Sequence, residues 1–281
     1  MWRPWAAAPA AVTLVALLPA RLAAQIDYRN LDDDRPTRVE DAYALERYAF
    51  EFLLPYAMSA GSGGEQWHAV VPELAYGIAS GAHLGLKVPL AVSDDGSGAV
   101  AGLAGVRGFL LYNANTEGPV LPALSARADL FVPAGPLGGT VTRGELKLIA
   151  TRSFGRQRLH LNGAVGIGPD DTAPVVEGAA RWWYGAALDR VFIRTSLLVV
   201  GEVYARRETT ASPVEVNLGL GARWQWTPTL VVDLGVSRRL KDTGPDLGIT
   251  LGFTHAFALA GLMPGTTRRS SAAGEPDAHH H

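Results

Sequence analysis

Residues 213–226, PVEVNLGLGARWQW, alternate between apolar and polar side chains from Val214 onward. Val214, Val216, Leu218, Leu220, Ala222, Trp224 and Trp226 share one face; Glu215, Asn217, Gly219, Gly221, Arg223 and Gln225 share the other. Successive side chains of a β-strand point to opposite faces, so the segment reads as a strand with one apolar and one polar surface. A soluble sandwich could contain one such strand. The recurrence of the pattern is more restrictive. It predicts about twelve strands, near 45–58, 66–78, 82–93, 99–113, 120–133, 141–154, 157–168, 174–187, 190–206, 213–226, 229–240 and 246–258. Crossing a bilayer at a tilt takes roughly 9–11 residues, whereas globular strands are mostly about 5–6. Bacterial single-chain barrels have an even strand number. The expected fold class is all-β: a transmembrane antiparallel up-and-down β-barrel of about 12 strands, spanning 45–258.

The connections sort by character. SAGSGGEQ, SDDGSG, PAGPLGG, GPDDTAP, RRETTASP and KDTGPD follow odd strands; SGA, FGR, LDR and TP, with NANTEG the longest, follow even ones. Long extracellular loops and short periplasmic turns are the habit of outer-membrane barrels. This places the N-terminus in the periplasm. Tyr76, Tyr112, Phe154, Tyr184, Trp226 and Phe257 are then expected at the periplasmic rim, with Tyr48 and Phe50. Tyr56, Trp67 and Tyr204 are expected at the outer rim. Amphipathic rings favour the membrane–water interface.

The N-terminus sets the compartment. Met1–Ala24 has Arg3, an apolar run from Trp5 to Leu18, and small residues at Ala23 and Ala24. It reads as a signal peptide cleaved after Ala24. The bacterial outer membrane is the expected location, with membrane lipid and the barrel-assembly machinery as partners. The chain has no cysteine, which excludes disulfides, thiol chemistry and a lipoprotein anchor. A net charge of −2 gives no electrostatic case for nucleic acid. Residues 25–44 are polar and acidic, with Asp32, Asp33 and Asp34 before Arg35 and Pro36; they read as a periplasmic lead or a plug. Residues 259–281 read as a disordered tail, and His279, His280 and His281 define no metal site.

The polar faces carry the candidate site. Glu51, Glu73, Lys87, Arg107, Arg127, Asp129, Glu145, Lys147, Glu177, Arg181, Arg194, Glu202, Glu215, Arg223, Asp233 and Arg239 are expected to line the lumen, and His160 shares that side. A charge facing lipid near the midplane would cost on the order of 2–4 kcal/mol. Such charges form either a polar path or a salt-bridged filling. No cofactor, metal or catalytic residue is expected. A lipid-modifying enzyme would need a Ser–His–acid set; His68, His83, His160 and His255 have no serine in a GxSxG context.

Several segments, in order, resemble the MetA-pathway phenol-degradation family of outer-membrane proteins. They are DRPTRVEDAYALERYAFEF, WHAVVPELAYGIASGAHLGLKVPL, LSARADLFVPAGP, LHLNGAVGIG, LLVVGEVYA, LGLGARWQWTPTLVVDLGVSRRL and DLGITLGFTHAF. The resemblance covers roughly residues 34–258 and carries over no catalytic residue. It implies a barrel and passive uptake of small, hydrophobic or aromatic molecules. A structural or adhesive barrel with a filled lumen is the alternative. Phe257 resembles the aromatic at which such barrels end, yet 24 residues follow it here.

Overall fold

The structure, a computed structural model, describes residues 27–61, 63–171, 179–241, 246–259 and 262. The expected signal peptide and nearly all of the C-terminal tail lie outside the described residues. The chain folds as a closed antiparallel β-barrel. Sixteen hydrogen-bonded segments make it up: β1 (Ala49–Leu53), β2 (Tyr56–Ala60), β3 (Gln66–Val70), β4 (Glu73–Ala79), β5 (Ala82–Lys87), β6 (Leu90–Asp94), β7 (Ala99–Leu103), β8 (Val106–Asn115), β9 (Ala123–Val132), β10 (Arg143–Phe154), β11 (Gln157–Ile167), β12 (Trp182–Phe192), β13 (Leu197–Arg207), β14 (Glu215–Thr227), β15 (Leu230–Lys241) and β16 (Leu247–Ala258). β1 to β8 combine in pairs into four staves and β9 to β16 make one each, twelve in all. β16 closes the barrel by pairing with both halves of the first stave, Ala49↔Ala258 at one end and Ala60↔Leu247 at the other. Closure leaves no open edge between first and last strands, which membrane-embedded backbone requires.

The breaks in the first three staves fall at Pro55, Pro72 and Pro89. Proline has no N–H to give to a ladder. The carbonyls of these prolines still accept, from Val71, Val88 and Ala104 N–H at 2.9 Å each, so a stepped row of hydrogen bonds crosses the gap. The fourth stave breaks at Ala104 and Gly105. β7 has no strand on its far side; the loop after β9 covers it there, with Leu137 N–H donating to Leu103 O and Gly105 N–H to Ala134 O.

Outward faces are apolar. Leu148, Leu220 and Trp226 are 71%, 56% and 64% exposed on the outside, while Glu145, Lys147, Asn217 and Arg223 of the same strands are buried on the inside. A soluble barrel would reverse this pattern.

The expected strand phases hold for most of the wall, with two corrections. The turn expected at LDR (188–190) lies instead at Ile193–Ser196, a 3-10 turn. β12 therefore runs Trp182–Phe192 rather than 174–187. Asp189 and Arg190 resembled turn residues, but Asp189 is a buried inward side chain with ionic partners on β11. The shift also moves Tyr184 from the short-turn end to the long-loop end, where it stacks on Trp182 at 5.5 Å. At the short-turn end, Tyr76, Phe50 and Phe257 do form a stacked rank, with centroids 4.4 and 5.3 Å apart.

At the long-loop end, the connection after β11 is tied to both neighbours. Asp171 accepts from Thr140 N–H at 2.7 Å, and Asp170 accepts from Thr210 N–H at 2.7 Å. Those Thr210 bonds hold the Asp170 carboxyl below its usual range.

Candidate functional site: a charged lumen crossed by the lead segment

Residues 27–45 enter the barrel without forming a strand. Their backbone is satisfied instead by side chains of the wall. Glu202 accepts from Arg38 N–H and Val39 N–H at 3.0 and 2.9 Å. Asn162 accepts from Glu40 N–H and donates to Glu40 O, at 3.0 and 2.9 Å. Thr151 Oγ1 accepts from Ala42 N–H, and Thr250 Oγ1 donates to Pro36 O, both at 3.0 Å. Glycines on the inner wall make room. A Cβ on Gly235 would stand 1.8 Å from Pro36 O, and one on Gly221 2.7 Å from Pro36 Cγ.

The lead's charges complement the wall. Asp33 meets four cations from successive staves. Its Oδ2 lies 3.1 Å from Lys87 Nζ, 2.8 Å from Arg107 and 3.4 Å from Arg127, and its Oδ1 pairs with Lys147. Burial alone would raise the Asp33 carboxyl; Arg107, Arg127, Lys147 and Lys87 outweigh it and hold the group well below the usual carboxylate range. Glu40 completes the cluster, 3.0 Å from both Arg127 and Lys147. On the opposite wall the lead offers both signs. Arg35 pairs with Asp233 at 3.0 Å and donates to Thr254 Oγ1 at 2.9 Å, while Asp32 pairs with Arg223 at 2.9 Å.

Most of the sequence-predicted residues fall on this inner surface. Glu73, Lys87, Arg107, Arg127, Asp129, Glu145, Lys147, Glu202, Glu215, Arg223 and Asp233 are all buried there. Glu73 pairs with Lys87 at 3.3 Å, Asp129 with Arg107 at 2.8 Å, and Glu215 with Arg206 at 2.8 Å. Glu145 accepts from Trp183 Nε1 at 3.3 Å. Glu51 borders a cavity beside the lead. Arg239 is half-buried and pairs with Asp246 near the long-loop end. Two residues depart. Arg194 is exposed in the 3-10 turn, because β12 continues past the expected turn and β13 starts only at Leu197. Arg181 is exposed just ahead of β12, donating to Gly168 O at 3.2 Å. Glu177 lies outside the described residues.

Sequence reasoning missed Arg158 as an inward group, while His160 falls on the side expected of it. Arg158 pairs with Asp41 at 3.3 Å and Asp189 at 2.6 Å. His160 is fully buried, with Nδ1 3.0 Å from Thr151 Oγ1 and Nε2 2.9 Å from Asp189 Oδ2. Arg158 precedes His160 by two positions, so its phase was there to be read. The Thr151–His160–Asp189 row is a hydroxyl–imidazole–carboxylate sequence, but its hydroxyl is engaged by Ala42 N–H.

Two cavities flank the lead. The larger, about 370 Å³, lies toward the long loops and is bordered by Asp33, Arg38, Lys87, Arg107, Trp183 and Tyr204, among others. The smaller, about 40 Å³, lies toward the short turns and is bordered by Leu31, Asp33, Asp41, Glu51 and His83, among others. Asp33 borders both. The lead is thus a septum across the lumen.

No family model matches the chain, and no curated protein matches it. Solved structures do. The chain is similar to the COG4313 outer membrane channel from Pseudomonas putida F1, with 16% identity, a TM-score of 0.58, and 80% of this chain and 100% of that one covered. It is also similar to the KdgM porin, with 11% identity, a TM-score of 0.52, and 74% and 99% covered. At these identities the likeness is one of fold: a closed antiparallel barrel.

Proposed function

We propose that this chain is an outer-membrane channel for passive passage of small hydrophobic or aromatic solutes, with the lead as its plug. The observation that carries the reading is the septum itself. A segment that pairs with no stave, held by side chains, separates a larger and a smaller space inside a closed barrel. Moving it would join them without breaking a strand pairing. The apolar outer belt supports a lipid-embedded wall. The similar solved channels and the ordered resemblance to the MetA-pathway family support uptake over adhesion. In this reading residues 1–24 direct export and are cleaved, the assembly machinery inserts the barrel, and the short turns face the periplasm.

The density of lumen ion pairs favours a second reading, a structural barrel with a filled interior. Conductance distinguishes the two. Purified protein in a planar bilayer should show small, weakly selective conductance, since acids and bases are interleaved around the wall. Deleting residues 25–44 should raise it severalfold, with faster uptake of small aromatic compounds by liposomes. No conductance and no uptake, before or after the deletion, would favour the filled barrel.

A further inference from the structure

The wall cations around Asp33 conflict with one another. Lys87 stands directly opposite Arg107 across one strand pair, and Arg127 directly opposite Lys147 across another. Like charges facing each other across a ladder are destabilising. A sequence breaks a local rule of this kind mostly where a site demands it. Asp33 contacts all four groups through its two oxygens, and Glu40 contacts Arg127 and Lys147. Both carboxylates belong to the lead; from the wall itself Glu73 pairs with Lys87, and Asp129 with Arg107 and Arg127. The four wall cations outnumber these wall acids, and the carboxylates of the lead make up the difference.

The site is also approachable. Lys87 and Arg107 border the larger cavity, and so do Trp67, Phe131, Trp183 and Tyr204. Cationic groups and ring faces are already in register: Arg107 lies 4.7 Å from the centre of the Phe131 ring and Lys147 5.1 Å from that of Trp183. Glu73, Glu145, Glu202 and Glu215 border the cavity too, so the part of it that suits a small flat molecule bearing one carboxylate is the patch where Lys87 and Arg107 meet these rings.

We propose that the cage of Lys87, Arg107, Arg127 and Lys147 binds the carboxylate of a permeating aromatic acid, and that Asp33 is its tethered surrogate in the closed channel. A solute carboxylate entering from the long-loop side exchanges with Asp33, and the lead loses its strongest ionic anchor. The inference rests on the channel reading and adds to it a solute class and a trigger.

Benzoate and its uncharged isostere benzamide test it with the full-length protein in detergent. Asp33→Ala vacates the position shared by all four cations and leaves Glu40 on Arg127 and Lys147. That variant should bind benzoate at least about tenfold more tightly than benzamide, a difference of roughly 1.4 kcal/mol, seen as a rise in unfolding temperature that only benzoate produces. Adding Arg107→Gln should abolish the preference. In the wild-type protein, benzoate should raise bilayer conductance and protease cleavage of the lead, whereas benzamide should not. Equal responses to the two compounds, in the variant or in the wild type, would overturn the proposal; the wild-type arm decides if Asp33→Ala does not fold. Binding is read without transport, so the two failures separate. Benzoate preference without any uptake would sink the channel and keep the cage, and uptake without benzoate preference would do the reverse.

Discussion

At the scale of single residues, the lumen is a set of buried charges that tolerate their burial only as partners. Arg35 is the clearest case, almost fully enclosed between Asp233, Asp32 and Thr254. Arg35→Ala would leave the Asp233 carboxylate buried without its partner, a loss of about 3–5 kcal/mol from the docked lead. The expected result is a lead that proteases cut readily and a channel of higher conductance. Replacing both partners with apolar residues, Arg35→Met with Asp233→Leu, should recover most of the protection, since breaking a buried pair costs more than removing it. Much of this was legible from alternation alone: eleven of the expected lumen residues are buried on the inner face. The misses have a common origin. Asp189 reads as a turn residue because its partners, the Arg158 guanidinium and the His160 ring, lie about thirty positions upstream. Asp33 reads only as part of a polar, acidic lead or plug, because nothing local announces four cations from distant staves. Sequence phase tells which way a side chain points, but not what it meets there.

At the scale of elements, glycine and proline carry more information than their frequency suggests. Pro55, Pro72 and Pro89 would ordinarily argue against central strands. Here each interrupts a stave whose two halves keep the same partners, and the residue before each proline donates across the step. The sequence reading ran the strands straight through because the alternation on both sides stays in phase. Gly235 reads as a gap in the polar face and is in fact the bed of Pro36. Gly235→Val should leave the barrel folded but dislodge the lead, again raising conductance, with an unchanged heat-modified band shift on gels. The two faces of β14 can be tested against each other. Leu220, outward and mid-strand, should cost roughly 2–4 kcal/mol of folded barrel when changed to Arg, by analogy with charges at the bilayer midplane. Asn217→Arg, inward beside Glu215, should be milder in a urea-unfolding series in lipid vesicles. The opposite order would mean that the faces of this strand are reversed.

At the scale of the whole molecule, orientation follows from connection length. Cysteines introduced at Asp94 or Thr210, both exposed at the long-loop end, should react with an impermeant thiol reagent on intact cells. Cysteines at Arg156 or Arg194, exposed at the other end, should not. Reversed labelling would invert the barrel in the membrane. A last consequence concerns the order of assembly. The lead runs straight into β1, and β1 is the stave that meets β16 to complete the wall. If the lead is laid against the open sheet before that seam shuts, its acids meet the staves bearing Lys87 and Lys147, and Arg35 the one bearing Asp233, so that it would serve as a mandrel for the roll of the sheet. A chain lacking residues 25–44 should therefore reach the same rolled state more slowly when refolded from urea into micelles.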